Sequence, residues 1–114
     1  MAEKICNLSK IGGGMKYELL GTTTSTSDVT LSNLDLTKYS AILLICSATT
    51  DMSVPNPVSF SICPLELFRI SDNVQARWIN NGTDRFVLAF YVNDTSLKLR
   101  VGRQGDSVWL YGVK

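Results

Sequence analysis

The side chains that most often carry chemistry are few in this sequence and stand far apart. There is no histidine, which excludes nucleophilic sites built on an imidazole base and every histidine-ligated metal site. The three cysteines, Cys6, Cys46 and Cys63, form no Cys-x-x-Cys pair, so a zinc site is not expected. We therefore predict that the protein holds no cofactor and no metal.

The acidic residues are placed in the manner of turn residues. Aspartate is favoured in turns because its side chain bonds to the nearby backbone. A glycosidase needs two carboxylates held roughly 5–10 Å apart across a cleft, and the pattern singles out no such pair. The aspartates that fall in predicted turns are Asp51, Asp72, Asp84, Asp94 and Asp106. We predict that the protein is not an enzyme.

Polar and aromatic residues near two predicted turns are the best candidates for ligand binding. Successive turns of an up-and-down meander alternate between its ends, so turns 80–84 and 103–106 are predicted to share one end. Amide, carboxylate and guanidinium groups there could bind sugar hydroxyls, and an aromatic ring could stack on a sugar. The candidates are Trp78 as the stacking ring, with Asn80, Asn81, Asp84, Arg103, Gln104 and Asp106.

Each of these candidates also has a purely structural interpretation. The "NNG" sequence at Asn80, Asn81 and Gly82 is a strong hairpin signal, because asparagine and glycine tolerate positive φ. The alternative for these residues is therefore that they only form the turn. The alternative for Trp78 is that it packs on the core or at a subunit contact.

The elements that must position these residues are predicted to be β-strands almost throughout, in a single domain of ordinary size for 114 residues. "PLELF" predicts one helical turn, with Pro64 at its first position, and Pro55 and Pro57 are expected to stop any strand. Strands are predicted at "YELLG", 28–31, 39–48, 58–63, 74–79, 85–92, 97–101 and 108–113. The predicted fold is an all-β, antiparallel, jelly-roll-like β-sandwich with a C-terminal up-and-down meander and at most one short helical turn.

The two ends of the chain differ sharply. Residues 1–14 close on three glycines and are predicted to be a flexible arm or linker, followed by a single sandwich domain over residues 15–114. The end, "SVWLYGVK", is apolar. Such a segment is stable only when it is paired and covered, which predicts an interior or near-interior strand. Trp109 and Tyr111 are then expected on one face, with Val108 and Leu110 on the other.

Charge and hydropathy limit the partners. The net charge is +1 with no basic cluster, so a nucleic-acid surface is not expected. The longest apolar run, 41–46, is too short to span a bilayer, and the N-terminus is too polar for a signal peptide. Cys46 and Cys63 are accordingly expected to be buried free thiols, with a disulfide between them as the alternative.

The order of these features resembles a known family. It runs from "YELLGTTT" through "LSNLDLTKYSAILLI" and "VSFSICPLELF" to "VNDTSLKLRV" and "VWLYGVK". This resembles the C-terminal β-sandwich modules of bacteriophage tail fibres and related tail proteins, over roughly residues 17–114. The resemblance implies a homotrimer at the tail tip, made in the bacterial cytoplasm and carried in the virion. Its partners would be other phage tail proteins and a host-surface glycan or protein.

The trimer that the resemblance implies gives the terminal strand a further role, with Trp109 and Tyr111 at a subunit interface. Two other functions stay open. The first is a structural tail or decoration subunit that only assembles with other virion proteins. The second is a cellular carbohydrate-binding module of the same fold class. Genes for tail proteins beside this one, or their absence, would separate the cellular module from the other two.

Overall fold

The computed structural model describes residues 16–50, 53 and 55–114. The predicted arm over residues 1–14, which includes Cys6, lies outside them. Within the described residues eight strands form two four-stranded antiparallel sheets. Sheet A has the order β1-β8-β3-β4 and sheet B the order β2-β7-β6-β5. The strands are β1 (Tyr17–Thr23), β2 (Val29–Leu31), β3 (Ala41–Ser47), β4 (Pro57–Pro64), β5 (Val74–Asn80), β6 (Thr83–Asn93), β7 (Ser96–Val101) and β8 (Ser107–Val113).

This arrangement confirms the predicted all-β sandwich and corrects its C-terminal part. Strands β5, β6 and β7 form a meander, but β8 leaves sheet B and enters sheet A between β1 and β3. The pairs β1–β8 and β2–β7 are those of a jelly roll, whereas β3–β4 and β5–β6 are hairpins. The predicted C-terminal meander therefore ends at β7 and does not include the last strand. The prediction of an interior terminal strand is right, since β8 has a ladder on each side.

The main core lies between the sheets and explains the apolar runs. Strand β3 is buried at every position from Ile42 to Ser47, so both of its faces are covered. Ile42, Leu44 and Cys46 point into the main core, whereas Leu43 and Ile45 belong to a second buried cluster on the outer face of sheet A. Cys46 and Cys63 are both buried free thiols, as expected. Burial raises the pKa of the Cys46 thiol to about 12.

Two short helical segments close one end of the sandwich. Helix α1 (Leu65–Ile70) follows β4 directly, and Pro64 precedes its first residue. A 3-10 turn spans Leu36–Lys38, which the sequence analysis does not predict. Pro57 begins β4 and does not stop it. A proline is tolerated there because it is the first residue of an edge strand, where its missing N–H breaks no ladder.

Candidate functional site

The two polar turns that the sequence places at one end do lie together there. Asn81 and Gly82 have φ of 51° and 76°, the positive values that a two-residue hairpin turn requires. The connection from β7 to β8 ends beside them, since Arg85 Nε donates to Asp106 Oδ2 at 3.1 Å and Arg85 Nη2 donates to Asp106 Oδ1. We call the turn 80–84 and the connection 102–106 together the hairpin end.

Asp106 belongs to the scaffold of the hairpin end and not to its surface. Its side chain is fully buried and forms a two-pronged ion pair with Arg85, whose own side chain is 19% exposed. The sequence predicts that Asp106 is a ligand-binding group, and the structure corrects this because the carboxylate cannot reach solvent. No local signal separates this aspartate from the exposed Asp84.

Trp78 is half-buried and packs against the main core. The Arg85 guanidinium lies 5.5 Å from the centre of its ring, so the arginine occupies the position that a stacking sugar would take. The indole Nε1 is buried and has no hydrogen-bond partner. The geometry supports the structural interpretation of Trp78, in which its ring is a packing surface for Arg85.

The remaining candidates keep surface for a ligand. Asp84 is exposed and forms an ion pair with Arg77 Nη2. Asn80 is half-buried in the turn, whereas Asn81, Arg103 and Gln104 are exposed. Amide and guanidinium groups with this exposure can donate hydrogen bonds to hydroxyl oxygens, and the amides can also accept them. The ligand-binding candidates that remain at the hairpin end are therefore Asn80, Asn81, Asp84, Arg103 and Gln104.

The outer face of sheet A carries apolar side chains from all four strands. The ladders align them in three rows, because residues opposite each other in a sheet share a face. The rows are Tyr17–Val113–Ala41–Pro64, Leu19–Tyr111–Leu43–Ile62 and Thr22–Trp109–Ile45–Phe60. Only Thr22 in these rows is polar, and its hydroxyl donates to the Val108 carbonyl at 2.7 Å. This face is the strongest candidate for a contact with another chain.

The predicted interface residues occupy the middle of this face. Trp109 is only 4% exposed, and its indole Nε1 donates to Ser107 Oγ at 3.2 Å; Tyr111 is half-buried. The exposed apolar surface comes instead from the outer strands, where Leu19, Phe60 and Ile62 are 49%, 65% and 50% exposed. The alternation of apolar and polar residues in "VSFSIC" indicates that one face of β4 is apolar. The sequence alone does not show that this face points away from the main core.

A shallow pocket at the opposite end has no counterpart in the sequence analysis. It has a volume of about 330 Å³ and lies between the 3-10 turn and α1. Its two walls are joined by a backbone hydrogen bond of 3.0 Å from Leu65 N to the Ser40 carbonyl. The lining residues are Thr37, Tyr39, Ser40, Pro64, Leu65, Glu66 and Arg69. We call this the α1 pocket.

Two hydrogen-bonded clusters fix the side chains around the α1 pocket. Arg69 donates from Nε and Nη2 to the two oxygens of Asp94, at 3.0 and 3.1 Å. The Tyr91 hydroxyl donates to Asp94 Oδ1 at 2.6 Å. The Arg69 guanidinium, with help from the Tyr91 hydroxyl, holds the pKa of Asp94 below its usual value. The Asp94 turn thus lies at the end opposite the hairpin end, since successive turns of a meander alternate between its two ends.

The second cluster lies on the Tyr39 side. The Tyr39 hydroxyl donates to Glu18 Oε1 at 2.7 Å, and Lys114 Nζ lies 3.0 Å from Glu18 Oε2. Burial, and then the bond to Glu18, raise the pKa of Tyr39 to about 12. The bond from Tyr39 and the Lys114 ammonium both lower the pKa of Glu18. Tyr39 is therefore a fixed, neutral wall of the α1 pocket across the physiological pH range.

The described residues hold no metal-binding cluster and no helix that could span a membrane. Residues 16–50, 53 and 55–114 contain no group of three or more Cys, Asp or Glu side chains that could hold a metal ion. Among the same residues no helix is long and apolar enough to cross a membrane. No family model, curated protein or solved structure matches this chain.

Proposed function

We propose that the chain is a non-enzymatic module of a phage tail that binds a host-surface saccharide at the hairpin end and acts as a homotrimer. The observation that carries the binding part is the buried Arg85–Asp106 ion pair. It joins the connection 102–106, which links β7 of sheet B to β8 of sheet A, to strand β6, which follows the hairpin turn. The exposed Asn81, Arg103 and Gln104 thus sit on a rigid frame, and less ordering is needed when a ligand binds.

The phage assignment rests on the order of sequence features, and the trimer has additional physical support. The outer face of sheet A exposes large apolar side chains on its two edge strands, β1 and β4, and exposed apolar surface commonly marks protein contacts. A trimer would also suit a weak saccharide site, since several sites acting together multiply a modest affinity. A structural subunit without a ligand is the main alternative, because the same apolar face serves it equally well.

Ligand binding at the hairpin end is tested by changing its exposed side chains while leaving the residues that form the turn intact. The double variant Arg103→Ala, Gln104→Ala is expected to bind about tenfold or more weakly to an array of bacterial surface glycans, because a hydrogen bond to a charged group contributes about 1.5–3 kcal/mol. A matched control is Lys98→Ala, Thr30→Ala, which removes a cation and a hydroxyl from two paired residues on the outer face of sheet B. Equal binding by both double variants would contradict the placement, and no binding by the parent would favour the structural subunit.

The proposed trimer is tested by introducing a charged residue on the outer face of sheet A. Ile62→Asp on the edge strand β4 is expected to turn a trimer into a monomer in sedimentation equilibrium at micromolar concentrations, because an unpaired carboxylate would be buried in the contact. Ile79→Asp is the matched control. It lies on the edge strand β5 of the other sheet and is 71% exposed, so it should leave the trimer intact. A parent chain that sediments as a monomer would refute this part of the proposal.

A further inference from the structure

We propose that the α1 pocket is a second saccharide subsite, which binds the vicinal hydroxyls of one neutral sugar ring. The inference rests on the proposed saccharide-binding function and places a contact at the end opposite the hairpin end. The volume of about 330 Å³ is at the small end of the range of ligand sites, which suits a single ring.

The charged residues of the α1 pocket match a pair of neighbouring hydroxyls. Glu66 and Arg69 are three residues apart on α1, a spacing that puts them on one side of a helix. Arg69 has its ion pair with Asp94, and the two bonds to Asp94 use only two of its five N–H donors. The others can donate to one hydroxyl oxygen while Glu66, which is exposed, accepts from the next hydroxyl.

The same pair of charges selects against ionic ligands. An anion drawn to Arg69 would meet the Glu66 carboxylate, and a cation drawn to Glu66 would meet the guanidinium. A hydroxyl both donates and accepts, so adjacent hydroxyls satisfy the two side chains without an unpaired charge. Pro64 is exposed and adds apolar surface beside them, against which the C–H groups of a sugar ring can pack.

The walls of the α1 pocket are already ordered. The Asp94 carboxylate that orients Arg69 is held by Tyr91, and the Asp94 carbonyl accepts a 2.9 Å hydrogen bond from Leu36 N at the start of the 3-10 turn. Asp35 Oδ1 accepts a 3.2 Å hydrogen bond from Thr37 N within that turn. Arg69 therefore loses little side-chain freedom on binding, and that loss is a main cost of weak polar recognition.

The test is an NMR titration of the full-length, nitrogen-15-labelled chain. The probes are the methyl glycosides of glucose, galactose, mannose and N-acetylglucosamine, each at millimolar concentration. At least one is expected to shift the backbone amides of Thr37, Ser40, Glu66 and Arg69. Glu66→Gln keeps the shape but removes the charge that accepts the hydroxyl proton, and it should weaken that response about tenfold, the size of one charged hydrogen bond.

A matched control separates this subsite from the hairpin end. Arg103→Ala, Gln104→Ala should leave the response at the α1 pocket unchanged. Shifts confined to Asn81 and its neighbours would overturn the subsite and leave the proposed function standing. An undiminished response at the α1 pocket in Glu66→Gln, or no response there to any of the four probes, would also overturn it. Binding to the glycan array tests the proposed function separately.

Discussion

Replacing Asp106 by alanine is expected to destabilise the folded chain by about 3–5 kcal/mol, the usual cost of removing one partner from a buried ion pair. The Asp106 side chain is fully buried, and both of its oxygens bond to Arg85. Without the carboxylate, the largely buried guanidinium would keep its charge and lose its partner. Urea unfolding followed by tryptophan fluorescence measures the difference in unfolding free energy.

The sequence supplies a matched control for this substitution. Asp84 is also an aspartate paired with an arginine at the hairpin end, but its side chain is 44% exposed and that of Arg77 is 52% exposed. Solvent screens such a pair, so Asp84→Ala should cost no more than about 1 kcal/mol. If the two variants unfold at the same urea concentration, the Arg85–Asp106 pair does not hold the hairpin end together.

Leu110→Ala is expected to cost about 2–5 kcal/mol, the range for a leucine truncated in a closed core. Leu110 is fully buried on β8 and faces the main core, and β8 has a neighbour on both sides. The rigid ladders on either side leave little room for the sheet to close over the lost methyl groups. Thermal unfolding by circular dichroism, together with the urea midpoint, measures the change.

Leu67 provides the comparison for Leu110. It is a leucine on α1 that is 53% exposed, and alanine is at least as good a helix former. Leu67→Ala should therefore change the unfolding free energy by less than about 1 kcal/mol. A Leu110→Ala variant as stable as Leu67→Ala would show that β8 is not the central strand described above.

The sequence predicts most strands because each carries its own local signal. Strand β3 is apolar from Ala41 to Cys46, β7 alternates Leu97, Lys98 and Leu99, and Asn81-Gly82 marks a hairpin. The crossing of β8 into sheet A has no such signal. The connection 102–106 has three polar residues and two glycines, and such a segment can close a hairpin or bridge two sheets. The choice depends on which sheet can cover both Trp109 and Leu110, whose side chains lie on opposite faces of β8.

The candidate sites were less predictable for the same reason. Proximity of the turns 80–84 and 103–106 follows from strand direction alone, and it is confirmed. Whether an aspartate in these turns is exposed or buried depends on an arginine that is distant in the sequence. The sequence alone therefore could not distinguish the exposed Asp84 from the buried Asp106. The α1 pocket joins residues 37–40 to residues 64–69, and only the β3–β4 register brings them together.

The position of β8 also fixes the order in which the protein can fold as it is made. Strand β1 has its ladder with β8, the last of the eight strands along the chain. At about 5–20 residues per second of synthesis, β1 would wait roughly 4–17 seconds for that partner. The β3–β4 hairpin and the meander of sheet B can form earlier, but sheet A stays split until residues 107–113 leave the ribosome. A chain interrupted before Ser107 would therefore leave β1 unpaired and the outer face of sheet A unassembled.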